Sequence, residues 1–103
     1  MEDKEIIIDF TPDADRFRGI TEKMVDIFIR KNHDYGNSFS ETVQELGLLA
    51  GYSSIRHKCN RLKSILKGGE IMVKDETVRD SLLDMANYCI MLAMEIDKQN
   101  EER

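Results

Sequence analysis

A chain of 103 residues has room for one domain, and we expect a single domain over residues 1–103. Hydrophobic residues make up 41% of the chain and charged residues 34%, which is the composition of a folded domain and excludes a disordered one. The 15 basic and 20 acidic side chains give a net charge of -5, which argues against nucleic acid as a partner because duplex binding needs a broad basic face. Binding of a small phosphate-bearing ligand by a few local cations is compatible with this net charge.

Two cysteines, Cys59 and Cys89, are far apart in the sequence, and each lies in an apolar helical pattern. We expect buried, reduced thiols, because a disulfide framework or a zinc site needs more partners at closer spacing. The first residues, MEDKEIIIDF, contain an apolar run too short and too acidic at its edges for a signal peptide. No window reaches the length of a membrane span. These features predict a soluble cytoplasmic domain.

The first predicted helix covers about residues 13–33. Apolar side chains recur there at three- and four-residue steps, as on one helix face: Phe17, Ile20, Met24, Ile27 and Phe28. Gly36 is suited to end this helix in a left-handed conformation. The stretch KNHDYGNSFS, residues 31–40, is then expected to be a connection, and it is unusually rich in chemically active side chains.

Two shorter helices follow. Ser40 is a candidate N-cap for the helix in SETVQELGLLAG, which Gly47 and Gly51 should shorten or bend. The serine pair 53–54 is a candidate cap for a third helix, IRHKCNRLKSILK. Its expected inward-facing residues are Ile55, Cys59, Leu62 and Leu66.

The longest predicted helix begins at Asp75, a fair N-cap, in DETVRDSLLDMANYCIMLAMEIDKQNEER. One apolar stripe alternates steps of four and three: Val78, Leu82, Met85, Cys89, Leu92 and Ile96. A second stripe lies beside it: Leu83, Ala86, Ile90 and Ala93. A helix apolar over so much of its circumference is surrounded by protein. We therefore expect an all-α, four-helix domain that forms a helical-bundle homo-oligomer through this helix, with EIIID and EIMV as a minor β ribbon.

A row of polar side chains lies on one face of the last helix, within an arc of about 80°. Its members, at intervals of four, four and three, are Glu76, Asp80, Asp84 and Asn87. Two interpretations stay open. In the first, Lys58 and Arg61 of the preceding helix neutralise Asp80 and Asp84, because buried charges must be paired. In the second, Asp80, Asp84 and Asn87 bind a hard divalent cation such as Mg²⁺, which favours oxygen ligands and bridges to phosphates.

The segments KNHDYGNSF, KCNRL and ETVRDSLLDMANYCIMLAMEI together resemble the nucleotide-modification-associated domain family, small proteins frequent in phages and prophages. The resemblance covers about residues 24–97, and its D-Y-G-x-S-F and L-L-D-x-A-N-Y elements are fairly specific together. It implies nucleotide-related chemistry in a phage-like context.

A more distant likeness is to the MazG-like all-α nucleoside triphosphate pyrophosphatases. Those enzymes hold Mg²⁺ with an E-E-x-x-E element on one helix and an E-x-x-D element on a later one. SLLDMANYCIMLA is similar to the second helix, with Asp84 at the aspartate and Ser81 where the glutamate should be, or with Asp84 and Asn87 as the pair. Glu41 and Glu45 supply only part of the first element. These departures weaken the expectation of hydrolysis and leave nucleotide binding in place.

The stretch KNHDYGNSFS then has a candidate role in binding. Tyr35 and Phe39 can present flat faces to a base, which is worth ~1–3 kcal/mol per stacked base in nucleic-acid sites. Asp34 and Asn37 are suited to ribose hydroxyls or a base edge. Three side chains of the third helix are candidate phosphate contacts: His57, Lys58 and Arg61. The structural alternative is that the aromatic residues only close the end of the core and the cations form salt bridges.

The favoured function is a small phage-type protein that captures a nucleotide or a nucleotide second messenger, as in sequestration of a host defence signal. One alternative is a Mg²⁺-dependent nucleotide pyrophosphatase of MazG-like type, in which the metal would activate water. Another is a helical interaction protein without nucleotide affinity, in which the polar row only fixes how helices align.

Overall fold

The computed structural model describes residues 9–35, 37–68 and 75–102, apart from the side chains at 34, 35 and 75–77. Four helices make up these ranges: α1 (Thr11–Tyr35), α2 (Ser38–Leu46), α3 (Leu48–Lys67) and α4 (Asp75–Glu101). The predicted all-α, four-helix fold with a long C-terminal helix is confirmed. The suggested ribbon of EIIID and EIMV falls almost wholly outside the described residues, as does the expected helix stop at Gly36. No helix within the described ranges is both long enough and apolar enough to cross a bilayer.

Asp9 fixes the start of α1, because its Oδ1 accepts a hydrogen bond from the backbone N–H of Thr11 at 2.9 Å. This bond satisfies one of the donors left without a partner at a helix N-terminus. Hydrogen bonds from the side chain and backbone of Thr11 also lower the pKa of Asp9. Pro12 is tolerated in the first turn, where its missing N–H breaks no helical bond.

The stretch KNHDYGNSFS is mostly helix, so its interpretation as a connection is wrong. Residues 31–35 complete α1, and residues 38–40 form the first turn of α2. The connection between the two helices is therefore short. As a consequence, Phe39 belongs to a regular helix that fixes the direction of its side chain.

Gly47 separates α2 from α3. Its φ is +94°, a conformation that residues with a side chain rarely adopt. The N–H of Gly47 donates to the carbonyl of Val43 at 2.7 Å, and the N–H of Ala50 donates to the carbonyl of Gly47 at 3.1 Å. α3 therefore begins at Leu48, directly after this glycine, and the expected start at serines 53–54 is wrong.

Gly51 brings α3 into close contact with α2 and α4. A Cβ atom at this position would lie 2.5 Å from Leu92 Cδ1, 3.2 Å from Val43 Cγ2 and 3.3 Å from Phe39 Cζ. Gly51 is therefore buried within α3 and does not bend or end a helix, contrary to expectation. Three helices meet at this backbone position because it has no side chain.

The core of the described chain is small. Its buried apolar side chains are Met24, Val43 and Leu62, of which Val43 is fully buried. α3 packs along α4 and α2 joins them, whereas α1 touches α4 over only part of its length. The radius of gyration of 17.7 Å exceeds the roughly 13 Å of a compact chain of this size. The protomer is therefore open, and much apolar surface stays exposed.

This openness explains two wrong expectations about buried residues. Cys59 and Cys89 are free thiols, as predicted, but both are exposed. Leu66, expected to face inward on α3, is 56% exposed, whereas Leu62 on the same predicted stripe is buried. The other helices leave part of the surface of α3 and α4 uncovered, and these residues lie on that part.

We expect Gly51→Val to lower the free energy of unfolding by about 1–3 kcal/mol, because the added side chain overlaps Leu92, Val43 and Phe39. The matched control is Gly19→Val in α1, where nothing lies within 4 Å, and its effect should be below about 0.5 kcal/mol. Urea denaturation followed by circular dichroism measures both. Equal destabilisation by the two substitutions would contradict the close approach at Gly51.

Candidate functional site

A cleft of about 110 Å³ lies where α1, α2 and α4 meet. Its lining residues are Phe28, Lys31, Asn32, Ser38, Phe39, Asp84, Asn87, Tyr88 and Met91. Apolar and aromatic side chains thus stand beside two amides and a lysine–carboxylate pair. A concave surface with a few converging polar groups is the usual form of a small-ligand site.

Phe39 and Tyr88 form the aromatic wall of the cleft. Their ring centroids are 5.5 Å apart and their planes are inclined by 35°, which is within the range of attractive ring contacts. Both side chains are half-buried, so each has a face in the packed interior and part of its surface in the cleft. Sequence reasoning paired Phe39 with Tyr35 and missed Tyr88. Tyr88 lies four positions after Asp84, and this spacing could have identified it in the sequence, because residues four apart lie on one helix face.

Asp84 is paired with two lysines from two other helices. Lys58 Nζ of α3 donates to Asp84 Oδ2 at 3.2 Å, and Lys31 Nζ of α1 lies 3.5 Å from Oδ1. The side chain of Lys58 is 23% exposed and that of Lys31 is 57% exposed. Because solvent weakens exposed ion pairs, the bond to Lys58 is the stronger of the two. The Lys58–Asp84 pairing is part of the first interpretation that the sequence left open.

The described side chains do not assemble the donor set that a divalent cation requires. Both carboxylate oxygens of Asp84 face ammonium groups, and Asp80 is exposed. Among the described side chains, which leave out those at 34, 35 and 75–77, no three of His, Cys, Asp or Glu are grouped as metal ligands. Mg²⁺ requires near-octahedral oxygen coordination. The assignment of Asp80, Asp84 and Asn87 to a metal stays a prediction, and this geometry does not support it.

The other predicted ligand contacts are distributed unevenly around the cleft. Asn37 lines a recess of about 20 Å³ that shares Phe39 with the cleft. His57 and Arg61 are exposed on α3 and are not among the lining residues. Residues 34 and 35, the predicted Asp34 and Tyr35 contacts, lie in the last turn of α1, and their side chains are outside the described part. These assignments stay predictions.

Glu95 is the centre of a second polar cluster, which sequence reasoning missed. Its side chain is 4% exposed and accepts a hydrogen bond from Lys98 Nζ at 2.8 Å. Lys98 Nζ also lies 3.4 Å from Ser40 Oγ, to which Gln44 Nε2 donates at 3.0 Å. Ser40 is therefore buried within the first turn of α2, and its expected role as N-cap is wrong. The position before the helix belongs to Asn37, whose side chain makes no capping bond.

The pKa of Glu95 results from two opposing effects. Burial disfavours the charged carboxylate and raises the pKa, whereas hydrogen bonds from Lys98 and Ser40 and the charge of Lys98 lower it. The lowering effects prevail, so the pKa of Glu95 lies below its ordinary value. The ionised carboxylate therefore stabilises the junction of α2 and α4 at neutral pH.

We expect Glu95→Gln to lower the free energy of unfolding by about 1–3 kcal/mol at neutral pH, because charge-assisted hydrogen bonds inside the fold are lost. The native pKa is lowered, so this stabilisation is complete above the unfolded pKa of Glu, about 4.3, and is lost as the pH falls through the native pKa. The midpoints of urea denaturation of wild type and Glu95→Gln, at neutral pH and at about pH 3.5, measure this stabilisation.

The difference between wild type and Glu95→Gln should thus shrink in acid. Glu41→Gln, at an exposed position of α2, is the matched control and should have little effect at either pH. A difference for Glu95→Gln that is the same at both pH values would contradict the role of the charge.

Comparison with known proteins gives one finding. A family model described as nucleotide modification associated domain 1 matches residues 31–96. The match covers more than half of the chain, from the last turns of α1 into the last part of α4, and it includes every cleft residue except Phe28. No curated protein and no solved structure gives a significant match.

Proposed function

Because the chain belongs to the nucleotide modification associated domain 1 family, we propose that it binds a nucleotide in the cleft between α1, α2 and α4. The family description supports nucleotides as the relevant chemistry. The observation that carries the proposal is the position of the Phe39–Tyr88 aromatic wall beside Lys31 in one cleft. A nucleotide is a small ligand that combines a flat ring with negative charge, and the family description favours it over other such ligands.

The base is assigned to the aromatic wall. Phe39 and Tyr88 are already held by packing, so little side-chain freedom is lost when a ring stacks on them. Stacking of a base on an aromatic side chain is worth ~1–3 kcal/mol in nucleic-acid sites. Asn32 and Asn87 line the same cleft, and their amides can donate to and accept from the edge of a base.

The phosphate is assigned first to Lys31. Its ion pair with Asp84 is the more exposed of the two, and an exposed pair contributes about 0–1 kcal/mol to stability. Lys31 can therefore turn to a phosphate oxygen at little cost, while Lys58 keeps Asp84 neutralised. The predicted contacts His57 and Arg61 on α3 stay in the proposal as outer phosphate contacts.

We propose capture without chemical conversion, in which the protein sequesters a nucleotide or a nucleotide second messenger. The pairing of both Asp84 oxygens with lysines supports capture over a Mg²⁺-dependent pyrophosphatase, because a catalytic metal would need that carboxylate. The sequence resemblance to phage proteins suggests a setting in which removal of a host signal counteracts defence.

The direct test is calorimetry against a panel of linear and cyclic nucleotides, with and without Mg²⁺, followed by chromatography of each mixture. We expect binding of at least one nucleotide without Mg²⁺ and recovery of that ligand unchanged. Release of pyrophosphate only with Mg²⁺ would replace capture by the pyrophosphatase. Absence of binding across the panel would leave the helical interaction protein as the function.

Substitutions locate the site. Tyr88→Leu should weaken nucleotide binding about 5- to 150-fold, because the stacking energy of one ring is lost. Tyr52→Leu, at a tyrosine of α3 that is 50% exposed and outside the cleft, is the matched control and should leave the affinity unchanged. Equal effects of the two substitutions would place the base elsewhere.

A second pair of variants tests the phosphate contact. Lys31→Gln should weaken binding and reduce its dependence on salt, because one phosphate–cation contact is lost. Lys23→Gln, at an exposed lysine on the same helix, should change neither quantity. Calorimetry at two salt concentrations measures both variants, and an unaltered salt dependence for Lys31→Gln would contradict the assignment.

A further inference from the structure

The outward face of α4 carries an apolar seam, defined here as the five residues that repeat at steps of four, three, four and three. These residues are Leu82, Ala86, Cys89, Ala93 and Ile96. At 100° per residue they lie within an arc of about 80°, and their spacing is the heptad spacing of packed helix pairs. Leu82 is 45% exposed and Ile96 is 41% exposed, at the two ends of the seam. Apolar side chains in such a pattern predict a second helix lying against them.

The described part of the chain does not provide that helix. The face of α4 that packs on the other helices contains Ser81, Tyr88 and Glu95, about 120° away from the centre of the seam. α1 approaches α4 along another side, where Met91 and Met94 line a shared groove. The seam therefore lies on a side of α4 that neither contact covers.

The accessible surface of the chain is large enough to include an interface of ordinary size. The chain exposes 8365 Å², whereas a compact monomer of 11.9 kDa exposes about 6,000 Å². A stable protein–protein interface takes about 800 Å² from each partner. The excess is enough for such an interface, and the seam, about 21 Å long, is a continuous apolar strip on which it can form.

We infer that a second copy of this chain covers the seam and that the two α4 helices run antiparallel and cross at Cys89. The seam is self-complementary about that residue, because Leu82 and Ile96 each lie seven positions away from it. An antiparallel pair thus sets Leu82 against Ile96 of the second copy at both ends. The small residues Ala86, Cys89 and Ala93 between them permit close approach of the two helices. A two-fold axis through Cys89 generates this closed, symmetric contact.

Charges beside the seam favour the antiparallel direction. Arg79 lies ten residues before Cys89, and Asp97 and Glu101 lie eight and twelve residues after it; all three are exposed. The antiparallel arrangement brings Arg79 close to the acidic end of the second copy. A parallel arrangement would instead keep Arg79 at the opposite end of the pair from Asp97 and Glu101, so this attraction would be lost.

The arrangement leaves the ligand cleft accessible. The α4 residues that line the cleft, among them Asp84, Asn87 and Tyr88, lie on the side of the helix opposite the seam. Each dimer therefore has two separate, outward-facing clefts. The inference concerns the seam alone and does not rest on nucleotide binding.

Oxidative cross-linking tests the contact at Cys89. In a Cys59→Ser variant, Cys89 is the only cysteine, and mild oxidation should produce a disulfide-linked dimer because residues on the two-fold axis come within disulfide range, 4.4–6.8 Å between Cα atoms. The matched control, Cys89→Ser, keeps Cys59, which is also exposed, and should stay uncross-linked. Efficient cross-linking through Cys59 and not through Cys89 would overturn the inference.

The direction of the helices is tested in the Cys59→Ser, Cys89→Ser background. Chains with Leu82→Cys or Ile96→Cys should cross-link when the two are refolded together, and neither should cross-link alone. Cross-linking of each variant by itself would show a parallel pair and overturn the antiparallel arrangement.

Sedimentation equilibrium tests association without oxidation. Wild type should have the mass of a dimer, and Leu82→Glu with Ile96→Glu should have the mass of a monomer with unchanged helical circular dichroism. Leu49→Glu, at a residue that is 77% exposed beside the α2–α3 turn, introduces the same charge elsewhere and should stay dimeric. A monomeric wild type, or a dimer that resists the seam substitutions, would show that another molecule or surface is involved and overturn the inference.

Discussion

The arrangement of this fold depends on the polar groups that α4 turns toward its neighbours. Asp84 and Glu95 lie on its inner side, and a carboxylate removed from water must be paired. Lys31 of α1 and Lys58 of α3 neutralise Asp84. Ser40 of α2 and Lys98, which belongs to α4 itself, form hydrogen bonds with Glu95. Each of the other three helices thus contributes at least one partner to α4. Apolar burial adds to this arrangement, but only three apolar side chains of the described residues are buried.

The same requirement places the proposed site. Asp84 has two cations for one negative charge, and they differ in exposure. Lys58, the less exposed, can remain as the structural partner while Lys31 meets an incoming phosphate. Phe39 and Tyr88 stand next to this pair because Gly51 lets α2 and α3 close onto α4. Charge pairing and close helix approach together produce a cleft suited to a flat, anionic ligand.

α4 carries the proposed ligand cleft and the proposed association seam on different sides. Its inner side makes the polar contacts and lines the cleft, while its outer side carries the heptad seam. In an ordinary monomeric domain the outer side of a surface helix is polar. The apolar outer side here, together with the open shape of the protomer, accounts for the large surface of one chain. A second copy against the seam would stabilise α4, and thereby the cleft, without occupying it.

The sequence by itself determined the helical class, the extent of α4 and the location of several site residues. Periodicity of three and four residues identifies a helix and its faces, and it placed Asp84 and Asn87 on one side of α4. Pairing between Asp84 and Lys58 was also among the interpretations drawn from the residues. These features depend on local spacing, so they could be predicted without knowledge of the other helices.

The tertiary structure alone decided which faces are covered. Cys89 follows the same apolar pattern as Leu92, yet one is exposed and the other contacts α3 at Gly51. Glu95 was not singled out in the sequence, and only the approach of α2 makes it a buried, hydrogen-bonded carboxylate. Tyr88 joined the site for the same reason, through Phe39 of another helix. Spacing within a helix fixes the direction of a side chain, but burial and partners depend on where distant segments of the chain pack.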